Sequence, residues 1–478
     1  MRVVIVGNGM AGARLAEELR RREPAPDRLR VTVFGAELDA SYNRVLLAGV
    51  LSGQMNAAQT RLYPHDWARL NHVTVHRGQR VAALHPEGPA VTLAGGRRVT
   101  ADAVVLATGS RARMPDVPGL AGPGVAVMRT LEDCRRILAM AGDGPVAVLG
   151  GGVLGLEAAR ALASRGIPVT VLHPTGYLMN RQLDAEAGDV LAAELRRLGV
   201  RLVLGARAQR WLHGRGIVTD AGELIACRAV VASVGAVPET ALASAAGLTV
   251  DGGIVVDDRL ETSTPGIYAI GDCARHPRAV AGFVQPAWDQ AGVLAELLTR
   301  NPDARYRGTR PVTRLKDREI HLAAIGDARH DGDDEVIRFS DPKRGRYAKL
   351  VVRGDRVAGA IMLGVPDAAA TVTHLFDSDA PVPEDRLAVL LGRALPANAP
   401  AAAPPVQQLA DDAVVCRCNT VHKGQLVAAF QGGATDVPAM AAATRATTGC
   451  GGCIPQVSAF CDWLRNEARP LDSEEVVA

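Results

Sequence analysis

The sequence predicts an α/β protein built from two Rossmann-like dinucleotide-binding domains, a small α+β domain and a small cysteine-rich C-terminal module. Three observations predict it. A pattern of strand, Gly-rich turn, helix and strand occurs twice. Short strands between Gly and Asp turns follow Pro311. Five of the eight cysteines lie at or beyond Cys416. A chain of 478 residues is long enough for several domains. Lys and Arg number 54 against 51 Asp and Glu, a net charge of +3, so no basic face for nucleic acid or a membrane surface is expected. Hydrophobic residues at 48% with 22% charged exclude wholesale disorder. No apolar stretch is long enough to span a membrane, and the first residues form a short strand rather than a signal peptide, so a cytoplasmic location is expected.

The first copy of the pattern opens on the β-branched run Val3-Val4-Ile5-Val6. It passes through Gly7-Asn8-Gly9-Met10-Ala11-Gly12 into an amphipathic helix over 13–22, then the strand Val31-Thr32-Val33-Phe34. The second copy runs Val146-Ala147-Val148-Leu149, Gly150-Gly151-Gly152-Val153-Leu154-Gly155, a helix over 157–165, and Val169-Thr170-Val171-Leu172. Strand, turn, helix and strand make a βαβ unit, and hence a parallel sheet. In such a unit Gly7 and Gly150 permit the tight turn. Gly9 and Gly152 let the backbone approach a pyrophosphate, and Gly12 and Gly155 let the helix pack on its strand. The free N–H groups and dipole of each helix then face the anion.

An acid about 20 residues beyond the glycines is expected at the ribose hydroxyls. Glu37 is the first-site candidate, against the alternative of a solvated loop glutamate. The second strand ends at Leu172-His173-Pro174 with no acid, so His173 beside the ribose or Arg181 on a 2′-phosphate are the options, and NADH against NADPH stays open. Two more strands close on small-residue turns, at Thr108-Gly109 and at Gly271-Asp272. On the residues alone Asp272 is a helix cap or an acceptor for a sugar-alcohol chain.

Beyond Pro311, Tyr347-Ala348-Lys349-Leu350-Val351-Val352 and Val357-Ala358-Gly359-Ala360-Ile361-Met362 read as strands joined by a turn at Arg353-Gly354-Asp355-Arg356. Residues 394–410 are Ala- and Pro-rich and read as a linker. In the remaining module Cys416-Arg417-Cys418 and Cys450-Gly451-Gly452-Cys453 form a four-thiolate set. Residues i and i+2 of a strand share a face, and the glycines around the second pair let N–H groups turn inward to offset thiolate charge. This spacing favours an iron–sulfur centre over zinc, whose ribbons use C-x₂-C twice. Cys461 reads as a packed helix residue, and Cys134, Cys227 and Cys273 as small buried hydrophobes.

The first 400 residues resemble the two-dinucleotide-domain flavoprotein reductases, in particular the N-terminal half of the large subunit of NAD(P)H-dependent nitrite reductases. The two Gly-rich turns carry the resemblance, with Tyr42-Asn43-Arg44-Val45-Leu46-Leu47, Leu62-Tyr63-Pro64-His65-Asp66-Trp67, Ala107-Thr108-Gly109-Ser110, Leu178-Met179-Asn180-Arg181-Gln182-Leu183-Asp184 and Ile270-Gly271-Asp272-Cys273. The resemblance implies that FAD is held by the first turn (Gly7, Gly9, Met10, Ala11, Gly12), by Glu37, Thr108 and Gly109, and by Gly271 and Asp272, with Asp272 on the ribityl chain. It implies NAD(P)H on Gly150, Gly152 and Gly155. Asn43 and Arg44 are expected near the flavin ring, Glu157 near the nicotinamide, and Gln285 over the other side of the ring. Arg44 and Glu157 are thus the candidate catalytic residues. Residues 413–465 resemble the bacterioferritin-associated ferredoxin-like domain, through Val415-Cys416-Arg417-Cys418-Asn419 and Thr444-Arg445-Ala446-Thr447-Thr448-Gly449-Cys450-Gly451-Gly452-Cys453. That resemblance implies a [2Fe–2S] cluster on Cys416, Cys418, Cys450 and Cys453, in a small helical fold.

Disulfide reductases of this fold carry a redox-active cysteine pair, and this sequence has no paired cysteines before Cys416. Electrons are therefore expected to leave a flavin through the cysteine module. The sirohaem half of the nitrite reductase subunit has no counterpart here. By resemblance the expectation is an electron-transfer component, with a molybdenum-containing nitrate reductase subunit as acceptor, or alternatively a nitrite reductase. The rivals are a ferredoxin-like redox-sensing protein and a zinc-stapled NADH oxidase. The domains expected are an FAD-binding domain (1–113 with 238–307), an NAD(P)-binding domain (114–237), the small α+β domain (308–393), the linker (394–410) and the [2Fe–2S] domain (411–478).

Overall fold

The computed structural model describes residues 1–278, 282–310, 312–330, 332–392, 409–411, 413–416, 419, 421–447 and 453–467. The expected linker falls almost wholly outside the described residues, as do Cys418 and Cys450. The chain divides into two compact units, Met1–Gly142 with Val231–Pro311, and Asp143–Val230 with Val312–Ala478.

In the first unit the strand Arg2–Val6 is the centre of a five-stranded parallel sheet. Arg30–Phe34 and then Val73–His76 lie to one side, Ala103–Leu106 and Ile267–Ala269 to the other. Val3, Val4, Ile5 and Val6 are all buried, as expected of a parallel strand covered on both faces. The helix Met10–Arg22 buries Leu15, Ala16 and Leu19 and packs with the helix Val284–Thr299. It begins at Met10, three residues before the sequence pattern suggested, because Gly9 already serves as its N-cap. The same holds in the second unit. The helix expected from Glu157 starts at Val153, directly behind the cap Gly152. There the strands Val146–Leu149, Val169–His173 and Val200–Leu204 pair in parallel.

The first helix carries a charge cluster centred on the buried Glu18. Glu18 is 2% exposed and paired with Arg14 at 2.6 Å, with Arg21 at 2.6 Å and with Arg22. Burial pushes its pKa up, but the three guanidinium groups outweigh that and hold it below the usual carboxylate value. A depressed folded pKa stabilises the fold above the unfolded pKa, and the contribution is lost as pH falls through the folded value. Glu18→Gln is expected to cost about 1–3 kcal/mol at neutral pH, because it removes the buried carboxylate that Arg14, Arg21 and Arg22 share, although Arg14 keeps Glu17 at 2.8 Å, Arg22 keeps Glu296 at 3.7 Å and Arg21 is largely exposed. Denaturant titrations should show the deficit shrinking towards acid pH; a deficit independent of pH would overturn this assignment.

After Pro311 come five antiparallel strands in the order Val312–Lys316, His321–Gly326, Arg356–Leu363, Arg346–Arg353, Glu335–Asp341. The expected turn is present, with Gly354 at φ +64°. The helix Pro366–Ser378 covers one face through Val372, Leu375 and Phe376. The C-terminal module has one short strand pair, Val414–Cys416 with Val421–His422. Three helices, Lys423–Gln431, Val437–Thr444 and Ile454–Glu467, close around Leu426, Met440, Val457 and Phe460. Among the described residues no helix is long and apolar enough to cross a membrane.

Candidate functional site

The first strand ends on a turn that only glycine fits. Gly7 has φ +120°, and a Cβ there would stand 2.1 Å from the Ala107 carbonyl oxygen. A Cβ on Gly12 would stand 2.0 Å from the Gly7 oxygen, so that glycine serves close packing of helix on strand. Gly9 differs: the nearest atom to an added Cβ is an Arg44 guanidinium nitrogen at 4.0 Å. The helix behind it has no side-chain cap, which leaves its first N–H groups facing an open cradle lined by a cation. Met10 and Ala11 form the first turn of that helix.

Glu37 lies in the loop beyond the second strand, with its side chain 39% exposed but held by two partners. It accepts from the Tyr42 hydroxyl at 2.6 Å and pairs with Arg44. Arg44 also donates to Tyr42 at 3.0 Å and to the Arg129 carbonyl at 2.7 Å, with its guanidinium 4.9 Å from the Tyr42 ring centre. Asn43 is fully buried, and its Oδ1 accepts from the Val45 N–H at 3.0 Å, capping the short helix Arg44–Leu46. Burial, helped by Glu37, raises the pKa of Tyr42, which therefore stays a hydrogen-bond donor.

Asp272 sits in the turn Gly271–Cys273, which presses on the glycine turn: a Cβ on Gly271 would be 2.9 Å from the Ala11 Cβ. Its Oδ2 accepts from Ser110 at 2.8 Å and Arg129 at 2.7 Å, and its Oδ1 from the Gly282 N–H at 3.2 Å. These partners are not the first N–H groups of a helix, so the cap reading gives way. Arg129 thus joins the two acidic ends, with its carbonyl on Arg44 and its guanidinium on Asp272. Sequence reasoning missed Arg129 and Ser110 as site residues. Their signals were slight: Ser110 ends the Ala-Thr-Gly-Ser segment, and Arg129 precedes the capping box of Thr130 and Asp133. Thr108 donates to the Glu239 carbonyl at 2.7 Å, while Gly109 (φ +73°) has open space on its Cβ side. Gln285, in the first turn of Val284–Thr299, donates to Asp289 at 2.7 Å.

The second turn repeats the geometry. Gly150 has φ +112°, an added Cβ on Gly152 would meet nothing within 4 Å, and Gly155 is buried in the helix. Glu157 is 3% exposed on that helix. His173 is buried, and both ring nitrogens are engaged: Nδ1 accepts from the Gly151 N–H at 3.0 Å and Nε2 meets the Thr175 hydroxyl at 2.8 Å. Burial lowers its pKa and keeps it neutral. His173 therefore shapes the turn and has no ring nitrogen left for a ribose. Arg181 is exposed.

Cys134, Cys227 and Cys273 are buried single thiols. Burial raises Cys134 to about 12 and Cys227 to about 11, and raises Cys273 as well, so none is a thiolate nucleophile at neutral pH. In the C-terminal module Cys416 ends a strand, Cys453 precedes the last helix, and both belong to one buried core. Asn419 donates to the Arg445 carbonyl at 2.6 Å. Arg445 (φ +66°) and Thr447 (φ +69°) hold left-handed backbone after the helix Val437–Thr444. Arg445 is the left-handed C-cap of that helix, its N–H donating to the Ala441 carbonyl. Cys461 is packed in the last helix, as expected.

Two Rossmann-like glycine turns, an acid–arginine track beside the first and a separate thiol module define a pyridine-nucleotide-dependent oxidoreductase. Residues 1–291 match the pyridine nucleotide-disulphide oxidoreductase family, and the chain belongs to it. Residues 311–379 match the rubredoxin NAD+ reductase C-terminal domain, and 414–460 the BFD-like [2Fe-2S] binding domain. The chain is 34% identical over 460 residues to a nitrite reductase [NAD(P)H] of Bacillus subtilis, covering 95% of this chain and 56% of that one. It is 31% identical over 477 residues to the assimilatory nitrate reductase electron transfer subunit of the same organism, covering 97% and 60%. The chain thus spans little more than half the length of these relatives. The crystal structure of a ferredoxin reductase from Rhodopseudomonas palustris superposes with a TM-score of 0.72 at 28% identity, covering 80% of this chain and 95% of that one. The cofactors of the chain are FAD, NAD(P)H and a [2Fe–2S] cluster. The fit is physical: the open, cation-lined cradle at Gly9 suits a pyrophosphate, and buried thiols in a four-cysteine set suit iron.

Proposed function

We propose that this protein is the electron-transfer component of a nitrate-assimilating system, drawing on NAD(P)H and delivering electrons to a molybdenum-containing nitrate reductase subunit. FAD, held at the first glycine turn, would supply two-electron chemistry towards NAD(P)H, and the cluster, held by Cys416, Cys418, Cys450 and Cys453, would supply one-electron chemistry. The observation that carries the reading is the absence of a usable thiol pair among the described cysteines of the nucleotide lobes, together with a dedicated four-cysteine module. The likeness to an assimilatory nitrate reductase electron transfer subunit along 97% of this chain supports the choice of acceptor. The equally extended likeness to a nitrite reductase supports a nitrite reductase partner as second reading.

In this reading Gly7, Gly9, Gly12, Thr108, Gly109 and Gly271 shape the FAD site. Glu37 takes the ribose hydroxyls, and Arg44, paired with it beside Gly9, borders the pyrophosphate and stays the candidate catalytic residue on the flavin side. Asp272, held by Ser110 and Arg129, accepts from the ribityl hydroxyls. Gln285 borders the ring with Asn43 behind it. Gly150, Gly152 and Gly155 shape the NAD(P)H site, and Glu157, buried in the helix behind them, orients the nicotinamide. Cys416, Cys418, Cys450 and Cys453 hold the iron. The domains are proposed as the sequence reading has them, with 411–478 as a separate electron-transfer module after the linker, save that 114–142 and 231–237 group with the FAD-binding residues in the first compact unit; a cytoplasmic location is proposed with them. Anaerobic NAD(P)H titration of the purified chain with a nitrate reductase catalytic subunit tests this. Nitrate-dependent NAD(P)H oxidation is expected; turnover with oxygen alone and no iron signal would overturn it.

A further inference from the structure

The segment 174–184 leaves the strand Val169–His173 at its C-terminal end, where open α/β sheets bind their ligands. It lies on the second glycine turn. The Met179 N–H donates to the Gly151 carbonyl at 2.9 Å, and Leu178 fills the space where a Gly151 Cβ would go, 2.6 Å away. Met179 is buried with φ +49°, a backbone that a non-glycine residue keeps only where its surroundings impose it. The Gln182 and Leu183 N–H groups fold back onto the Met179 carbonyl at 2.8 and 2.9 Å, so the run from Met179 to Asp184 is one tight unit.

The far end of that unit is held from the third domain. Asp184 caps the helix Ala185–Arg197 with Oδ1, accepting from the Ala187 N–H at 3.1 Å. Its Oδ2 accepts from the Tyr347 hydroxyl at 2.7 Å and from the Lys349 ammonium at 3.3 Å. Tyr347 is fully buried and Lys349 is 6% exposed. A lysine that deep is costly unless paired, so Asp184 is its required partner. We propose that Tyr347 and Lys349 set nicotinamide-nucleotide affinity as positioning residues, by pinning Asp184 and with it the loop that shapes the second glycine turn. This rests on reading that turn as the NAD(P)H site. A second link between the same regions serves as contrast. Arg160 pairs with Asp317 at 3.0 Å and Glu319 at 2.9 Å, but it stands in the last turn of its helix, away from the glycines.

The test uses the full holoprotein with Tyr347→Phe, which keeps the ring, and Asp184→Asn, which keeps the cap through its amide oxygen. Calorimetry gives Kd for NAD+ and NADP+, and NAD(P)H-driven ferricyanide reduction gives KM and kcat. Each variant is expected to raise Kd and KM about fivefold with kcat unchanged. The double variant should show no more than the larger single effect, since both cut one pin. Asp317→Asn should lower the thermal midpoint and leave Kd alone. Unchanged Kd in Tyr347→Phe and Asp184→Asn, with wild-type binding intact, overturns the proposal. So does an equal rise in Asp317→Asn, which would mark a general loss of stability. A wild-type protein that binds neither nucleotide overturns the underlying reading, and the proposal with it.

Discussion

Cys453→Ser is expected to abolish NAD(P)H-driven reduction of a one-electron acceptor protein while leaving flavin reduction by NAD(P)H intact. Cys453 is 5% exposed in the core that also holds Cys416, Val457 and Phe460. Serine is a poor ligand for iron, and its hydroxyl enters an apolar core. Changes outside the ligand set cost roughly 10- to 100-fold, so loss of a ligand should exceed 100-fold in transfer. A module this small has a short apolar core and draws folding energy from its metal centre, so its helices should melt early as well. Iron analysis and paramagnetic resonance of dithionite-reduced protein check this. An intact iron signal with normal transfer in the variant would remove Cys453 from the cluster.

Gly12→Ala and Gly9→Ala should part company. At Gly12 the new methyl would meet the Gly7 carbonyl at 2.0 Å and Ile5 Cγ2 at 3.1 Å, so helix and strand must separate. A loss of about 3–5 kcal/mol is expected, with flavin lost as the lobe loosens. At Gly9 the methyl meets only the tip of Arg44 at 4.0 Å, so the apoprotein should fold normally. It should nevertheless bind FAD weakly, because the methyl stands in the cradle. Thermal midpoints of the apoproteins and flavin content per chain separate the two effects. If Gly9→Ala destabilised the apoprotein as much as Gly12→Ala, the cradle would be a packing feature and not a cofactor site.

Much of this was legible in the linear chain. Both glycine turns, their strands and the parallel pairing follow from local rules: β-branched runs make strands, and glycine alone tolerates the backbone at Gly7 and Gly150. Helix starts were read late, by three residues at Met10 and four at Val153, because a glycine cap leaves no side-chain signature. The site was legible only in part. Glu37 and Asp272 stand out as acids after strands, but their partners do not. Arg129 reaches Asp272 across 143 positions, a relation that no local pattern encodes. His173 showed the opposite failure. Its place after the second strand suggested a ribose contact, yet burial and two hydrogen bonds consume its ring.

Taken alone, the sequence determined the class of chemistry: glycine spacing dictates two nucleotide turns, cysteine spacing dictates a thiolate centre, and the lack of an earlier cysteine pair sends electrons elsewhere. Tertiary structure alone decided which charges meet. It set Arg44 on Glu37, Arg129 on Asp272 and Lys349 on Asp184. Backbone conformation is governed by neighbours in sequence, whereas a half-buried charge is satisfied by whatever the fold brings within about 3 Å of it.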